Sequence, residues 1–232
     1  MITLYNFGPM WGLPDPSPFV IKTEVQLMLS GLAFRTEHAG LGQAPKGKLP
    51  FISDDGEIIA DSVFIREHLQ QRHGADLDTG LNAVERAQAW AMERLCEDHL
   101  YWAIVSARWA DDTNFANGPI QFFAGAPDEV VTAARAGMMQ TLHCQGFGRH
   151  APQDVGRLAR RSFEALSVQL GDKAYMFGET ATALDATAFG VIAGALVPCF
   201  KSSVRDAVEA FPNLVAYRDR LMVRFYPGFT TG

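Results

Sequence analysis

The sequence predicts a small α/β domain at residues 1–76 followed by an all-helical domain at residues 82–232. Three observations carry that expectation. The first forty residues punctuate as strand, helix, strand; a hairpin is written around Asp55-Gly56; and after His73 the strand signals stop.

Taken in order, ITLYNF (residues 2–7) is β-branched and aromatic with no helical period, which is a strand pattern. GPMWGLPDP, Gly8 to Pro16, carries three prolines and two glycines and continues neither a strand nor a helix. Pro18 suits a first helical position, and Ile21, Val25, Met28 and Leu29 then share one helical face. Gly31 stops that helix, and LAFRTEH alternates as a second strand. PFIS and EIIA flank Asp55-Gly56, a residue pair suited to a tight hairpin turn. Asp61-Ser62 opens a second helix, with Val63, Phe64, Leu69 and the stem of Arg66 available for packing. From Asn82 onward the pattern is helical, broken at NGPIQFFAGAP and QGFGRHAP.

Composition narrows the function. The chain has 232 residues, 48% of them hydrophobic, enough for a substantial core. Twenty basic residues against 26 acidic ones leave a net charge of −6, which argues against nucleic acid and leaves any acidic ligand to a local basic pocket. Cys96, Cys144 and Cys199 stand far apart with no CxxC, so neither a disulfide framework nor a zinc knuckle is expected. No His, Cys, Asp or Glu group has metal-ligand spacing along the chain, and no metal is expected. MITLYNFG has no basic n-region followed by an apolar stretch, and no uncharged run reaches the roughly 18 residues of a membrane span; the expectation is a cytoplasmic protein without membrane insertion.

Two positions pose chemical questions. Ser17 stands between prolines at a helix entrance, as a cap for the helix amides or as a hydroxyl aimed at an anion held by the helix dipole. Pro50 opens a strand, where a cis or a trans peptide after Leu49 is equally compatible with the residues.

Ser17-Pro18-Phe19 at a helix start, Lys48-Leu49-Pro50 before a hairpin and Asp61-Ser62 at the next helix, in that order and spacing, resemble the glutathione S-transferase fold. LGDKAYMFGETATALDATAFG (170–190) is similar to the segment in which a capping box, here Thr182 and Asp185, starts the central buried helix of the second domain. QGFGRH and PKGKLPFISDDGEIIADSVFI narrow the resemblance to the branch named for failed axon connections and metaxin-like proteins, which has bacterial members. The likeness covers nearly the whole chain and is weakest at Gly8–Pro16 and residues 98–140.

The resemblance implies a thioredoxin-like N-terminal domain that binds glutathione and a helical C-terminal domain that walls a second substrate. It implies Ser17 as the group that polarises the glutathione thiol, with Tyr5 as the alternative hydroxyl. Lowering a thiol pKa by about two units takes about 2.7 kcal/mol, within reach of a hydroxyl donor and a helix end together. The Leu49 main chain, exposed by a cis Pro50, is implied to pair with the cysteinyl part of the tripeptide. Lys48, with Lys46 as substitute, is implied for the glycyl carboxylate, Asp61 for the α-amino group, and Ser62 for the γ-glutamyl carboxylate. Asp61 is one methylene shorter than the glutamate commoner in the family. Trp11, Phe122 and Phe123 are candidate pocket walls, whereas Trp102 and Trp109 read as core. His143, Arg149 and His150 occupy signature-like positions but read as loop and helix-entry residues. The expected activity is addition of the glutathione thiolate to a small hydrophobic electrophile by a homodimer, with glutathione as substrate and no metal. A non-catalytic scaffold on the same fold is one alternative. A thiol oxidoreductase is another, although it requires a cysteine where Ser17 stands.

Overall fold

In the computed structural model, residues 1–229 are described; residues 230–232, the end of the predicted helical domain and of the stretch RFYPGFTTG, lie outside the described residues. Four strands, β1 (Ile2–Asn6), β2 (Phe34–His38), β3 (Phe51–Asp54) and β4 (Glu57–Ala60), form one sheet in the order β2-β1-β3-β4. β1 and β2 are parallel, joined across helix α1 (Pro18–Ser30), and the other pairings are antiparallel. Helix α2 (Ser62–His73) closes this thioredoxin-like part. Helices α3 (Ala83–Arg94), α4 (Tyr101–Trp109), α5 (Asp112–Asn117), α6 (Asp128–Gln145), α7 (Pro152–Leu170), α8 (Ala183–Ala195), α9 (Ser203–Glu209) and α10 (Pro212–Phe225) follow. Among the described residues no helix is long and apolar enough to cross a membrane.

Local chemistry explains the breaks. Gly31 ends α1 at φ 70°, and the β3–β4 turn places Asp55 and Gly56 at φ 51° and 91°, the doubly left-handed backbone of a tight hairpin. Inside the loops read from sequence lie two short 3₁₀ turns, Pro119–Phe123 and Phe147–Arg149. In α2 the buried positions are Ser62, Ile65 and Leu69, one helical stripe, which turns Phe64 outward to 51% exposure under the Lys46 ammonium rather than into the packing expected of it.

The two parts meet along α1 and α8. All thirteen residues of α8 are buried, and a Cβ on Gly190 would stand 2.5 Å from the Pro18 carbonyl oxygen. The missing side chain is what lets the first turn of α1 lie directly on α8. Asp185 organises the start of α8: its carboxylate accepts from the Met176 and Thr182 amides at 2.8 Å, the Thr182 hydroxyl at 2.9 Å and the Tyr217 hydroxyl at 2.8 Å. Between α3 and α4 a π-turn, Leu95–Leu100, places Glu97 2.5 Å from the buried Lys22 of α1. Arg66 of α2 bonds Glu93 of α3 at 2.7 Å and also Asp78, whose other oxygen accepts from the Ala183 amide at 3.1 Å. Lys22, Glu93, Glu97, Arg66 and Asp78 are thus paired across the junction, which offsets the desolvation cost of burying them.

Candidate active site

The sheet register gathers the predicted residues at one end. Tyr5 pairs with Phe51, and Phe51 with Ala60, so Leu49-Pro50, just before β3, and Asp61-Ser62, just after β4, flank the same edge of the sheet. Val20, in the first turn of α1, packs with Leu49 and Phe51 and brings the start of α1 to this edge. The Leu49–Pro50 peptide is cis.

Ser17 is the N-cap of α1. Its Oγ accepts the Val20 amide at 3.4 Å, an interaction that uses a lone pair and leaves the hydroxyl proton free. Capping and donation are therefore compatible at this residue. Asp61 caps α2 by accepting the Val63 amide at 3.0 Å and holds φ 92°, a backbone region that costs a non-glycine residue energy and that neighbouring structure must enforce. Ser62 is buried in the first turn of α2, while Lys48 is exposed. Lys46 is occupied locally: its Nζ donates to the Ala60 carbonyl at 3.2 Å and lies 4.6 Å from the Phe64 ring centroid. Tyr5 stacks on Phe51 at 4.2 Å between ring centroids, which holds its ring to the sheet.

Two residues that sequence reasoning missed place Ser17. Asp15 is wholly buried. One carboxylate oxygen accepts from the Ser17 amide at 2.8 Å, and the other from the Phe7 and Gly8 amides at 2.9 and 3.1 Å. This carboxylate sews the Gly8–Pro16 loop shut and ties the end of β1 to the start of α1. Burial raises its pKa to about 7, against the lowering pull of the Ser17, Phe7 and Gly8 amides. An aspartate two residues before a serine is an Asx-turn signal, so Asp15 was legible in DPSP.

Arg108 of α4 donates to the Pro16 carbonyl at 2.9 Å and to the Gly194 carbonyl at 2.8 Å. Its guanidinium lies against the rings of Trp11 and Phe200, 5.0 and 5.1 Å from their centroids. Burial pushes its pKa down to about 10. Its two hydrogen-bonded partners are neutral carbonyls, and its Nε has no partner among the described residues. The sequence signal was a lone arginine inside the apolar helix YWAIVSARW.

Aromatic rings cover the loop. Trp11 meets Phe122 at 5.4 Å and Phe200 at 5.0 Å, Phe7 meets Phe122 at 5.5 Å, and the Trp11 indole donates to Gln121 at 3.2 Å. Trp11 and Phe122, two of the three candidate wall residues, thus pack against each other. Phe123 instead pairs with Trp109 at 6.3 Å, and Phe7 and Phe200 complete the cluster. His143, Arg149 and His150 are exposed at the end of α6 and beyond it, where Arg149 bonds the His143 carbonyl at 3.0 Å. Chain spacing suggested no metal cluster, yet folding places Asp54, His68 and His73 within 4.8 Å of one another at the other end of β3.

Residues 18–114 match the model of the glutathione S-transferase N-terminal domain, and residues 159–221 that of the glutathione S-transferase C-terminal domain. The chain is 34% identical to the isoprene-epoxide–glutathione S-transferase of Rhodococcus sp. (strain AD45), over 97% of this chain and 99% of that one. It is 31% identical to Failed axon connections of Drosophila melanogaster and 26% identical to human metaxin-1, but spans only 58% and 51% of those proteins. Among solved structures, the β-etherase LigF of Sphingobium sp. strain SYK-6 superposes with a TM-score of 0.66 at 20% identity, covering 95% of this chain and 94% of that one. A glutathione S-transferase of Ceriporiopsis subvermispora, solved with glutathione, gives 0.66 at 17% identity and 97% coverage of both chains.

Proposed function

This chain belongs to the glutathione S-transferase family, and we propose that it binds glutathione at the edge formed by Leu49, Pro50, Asp61 and Ser62 and adds the thiolate to a small hydrophobic electrophile under the Trp11–Phe122 cluster. The observation that carries this reading is the state of Ser17: its Oγ accepts the Val20 amide, which leaves its proton free to donate to an anion held at the positive end of α1. A thiolate there receives a hydroxyl hydrogen bond and the field of the helix end. The buried charge of Arg108, one residue removed through Pro16 and without a carboxylate partner among the described residues, favours the anion further.

In this reading the Leu49 main chain takes the cysteinyl unit as an added strand, Ser62 and the α2 N-terminus take the γ-glutamyl carboxylate, and Asp61 takes the α-amino group. Lys48, exposed and near the same edge, takes the glycyl carboxylate. Phe123, paired with Trp109, stands behind the wall formed by Trp11 and Phe122. The thiolate attacks an electrophilic carbon; with an epoxide, the class named in the Rhodococcus relative, the C–S bond forms as the C–O bond breaks and the alkoxide takes a proton from water. We place the protein in the cytoplasm as a homodimer, a state that light scattering reads as twice the 25.4 kDa chain mass.

The test is a pH-rate profile of wild type and Ser17→Ala with a generic electrophile, alongside glutathione affinity. Loss of a hydrogen bond to a charged group, about 1.5–3 kcal/mol, lowers the neutral-pH rate roughly ten- to a hundred-fold and moves the thiol pKa upward while affinity holds. An unmoved profile with a lowered melting midpoint makes Ser17 a cap only. Absence of glutathione binding in the wild type favours the scaffold reading.

A further inference from the structure

At the end of the sheet remote from Ser17, three side chains converge on one point. Asp54, the last residue of β3, is 1% exposed, and its Oδ2 lies 2.9 Å from Nε2 of His68 and 2.7 Å from Nε2 of His73. The histidines stand five apart on α2, 140° around an ideal helix, so they reach the carboxylate from two sides rather than from one stripe. The hairpin turn holds Asp54, and the end of α2 at Gly74 holds His73.

We propose that Asp54, His68 and His73 form a binding site for a divalent transition-metal ion of the zinc class. Two imidazole nitrogens and one carboxylate oxygen suit Zn²⁺, Ni²⁺ or Cu²⁺ and are unsuited to Ca²⁺ and Mg²⁺, which take oxygen ligands. The geometry is close. The three ligand atoms lie within 4.8 Å of one another, whereas a tetrahedral site with bonds of 2.0–2.1 Å needs them about 3.3 Å apart. Each Asp–His separation opens by about half an ångström, and the two imidazoles draw together. Three protein ligands leave a fourth position for water.

The proton count is simple. Each neutral imidazole that now donates its Nε2 proton to Asp54 shifts that proton to Nδ1, and an imidazolium releases one; the freed lone pairs bind the ion. The competing charge is Arg72, whose Nε stands 3.5 Å from Asp54 Oδ2. It is 46% exposed and already reaches Glu57 at 3.5 Å and Asp55 at 3.8 Å, so it has carboxylates to retreat to. The Met1 ammonium, 2.6 Å from Asp55, is the other cation of this patch. A metal here cross-links the β3–β4 hairpin to the end of α2 and has no part in the chemistry at Ser17.

The experiment uses untagged full-length protein, stripped with a chelator, dialysed against ZnCl₂ and assayed for zinc content, melting midpoint and competition with a chromophoric zinc indicator. One zinc per chain and a midpoint that rises with zinc are expected. His73→Ala, which removes a partly exposed side chain from the last position of α2 and leaves His68 and Arg72 on Asp54, abolishes both while circular dichroism stays native. Arg72→Ala tightens zinc binding about tenfold by removing the competing charge. Co²⁺ substitution gives the intense visible absorption of a tetrahedral site. Less than a tenth of a zinc per chain, unchanged uptake in His73→Ala, or weaker binding in Arg72→Ala overturns the proposal.

Discussion

The two ends of the small sheet each hold a carboxylate that gathers donors from separate elements, and the two are in opposite electrostatic states. Asp15 collects three backbone amides, lies deep in the molecule and has its pKa raised to about 7, mainly by burial. Asp54 is as little exposed, but the partners of its carboxylate are side chains that are themselves partly exposed. Burial pushes its pKa up, and the hydrogen bonds and charges of His68 and His73 outweigh that, so it lies below the ordinary value. Backbone amides at depth do not compensate Asp15 for its lost hydration; side-chain hydrogen bonds near the surface do so for Asp54. Asp185 extends the rule. It is fully buried, its donors are two amides and two hydroxyls, and its pKa is raised by burial despite them.

The largest effect expected from this contrast is on stability. Asp15→Ala leaves the Phe7, Gly8 and Ser17 amides without their acceptor in a dry interior, at about 1–3 kcal/mol for each that stays unsatisfied; a total of about 3 kcal/mol or more is expected, with loss of conjugation as Ser17 comes loose. Asp54→Ala releases side chains that turn back to water and costs about 1–2 kcal/mol. Urea unfolding of both variants measures the difference, and equal losses break the comparison.

A smaller effect lies in the pH dependence. Asp15 has an unfolded pKa near the ordinary 3.8 and a folded one of about 7, so between those values the native state holds more protons than the unfolded state. Stability therefore falls as pH rises from about 4 to about 7 and levels off above, by a few kcal/mol at most. Asp15→Asn cannot ionise, so wild-type stability minus that of the variant isolates the fall. A difference curve that rises over the same range means that the three amides outweigh burial, and the contrast with Asp54 disappears.

The smallest effect concerns Asp185. Thr182→Ala removes one of its four donors and leaves the Met176 and Thr182 amides and the Tyr217 hydroxyl in place. About 0.5–2 kcal/mol is expected, with conjugation per folded molecule unchanged. An unshifted melting midpoint shows that the remaining three donors satisfy the carboxylate alone.

Local chemistry was enough for the elements and for the positions that open them. Proline at a helix start, glycine at its end, Asp55-Gly56 in a hairpin and the alternation of short apolar runs each act within a few residues, and the succession of strands and helices along the small domain and both of its capped helices follow from them, whereas the order of the strands in the sheet does not. The proposed glutathione edge was legible for the same reason, since Ser17, Leu49-Pro50 and Asp61-Ser62 each sit at the boundary of an element. Phe64 was misjudged because the inward stripe of α2 depends on the surface it meets. Asp15 left a trace in DPSP, but that it also holds the Phe7 and Gly8 amides depends on the path of the loop. Arg108 reaches Pro16 across 92 positions, and His68 and His73 reach Asp54 from another element. Which helix face turns inward, which polar groups meet and what charge a carboxylate keeps depend on burial and on partners distant in the chain. No local pattern encodes either, because both exist only once the helices have packed.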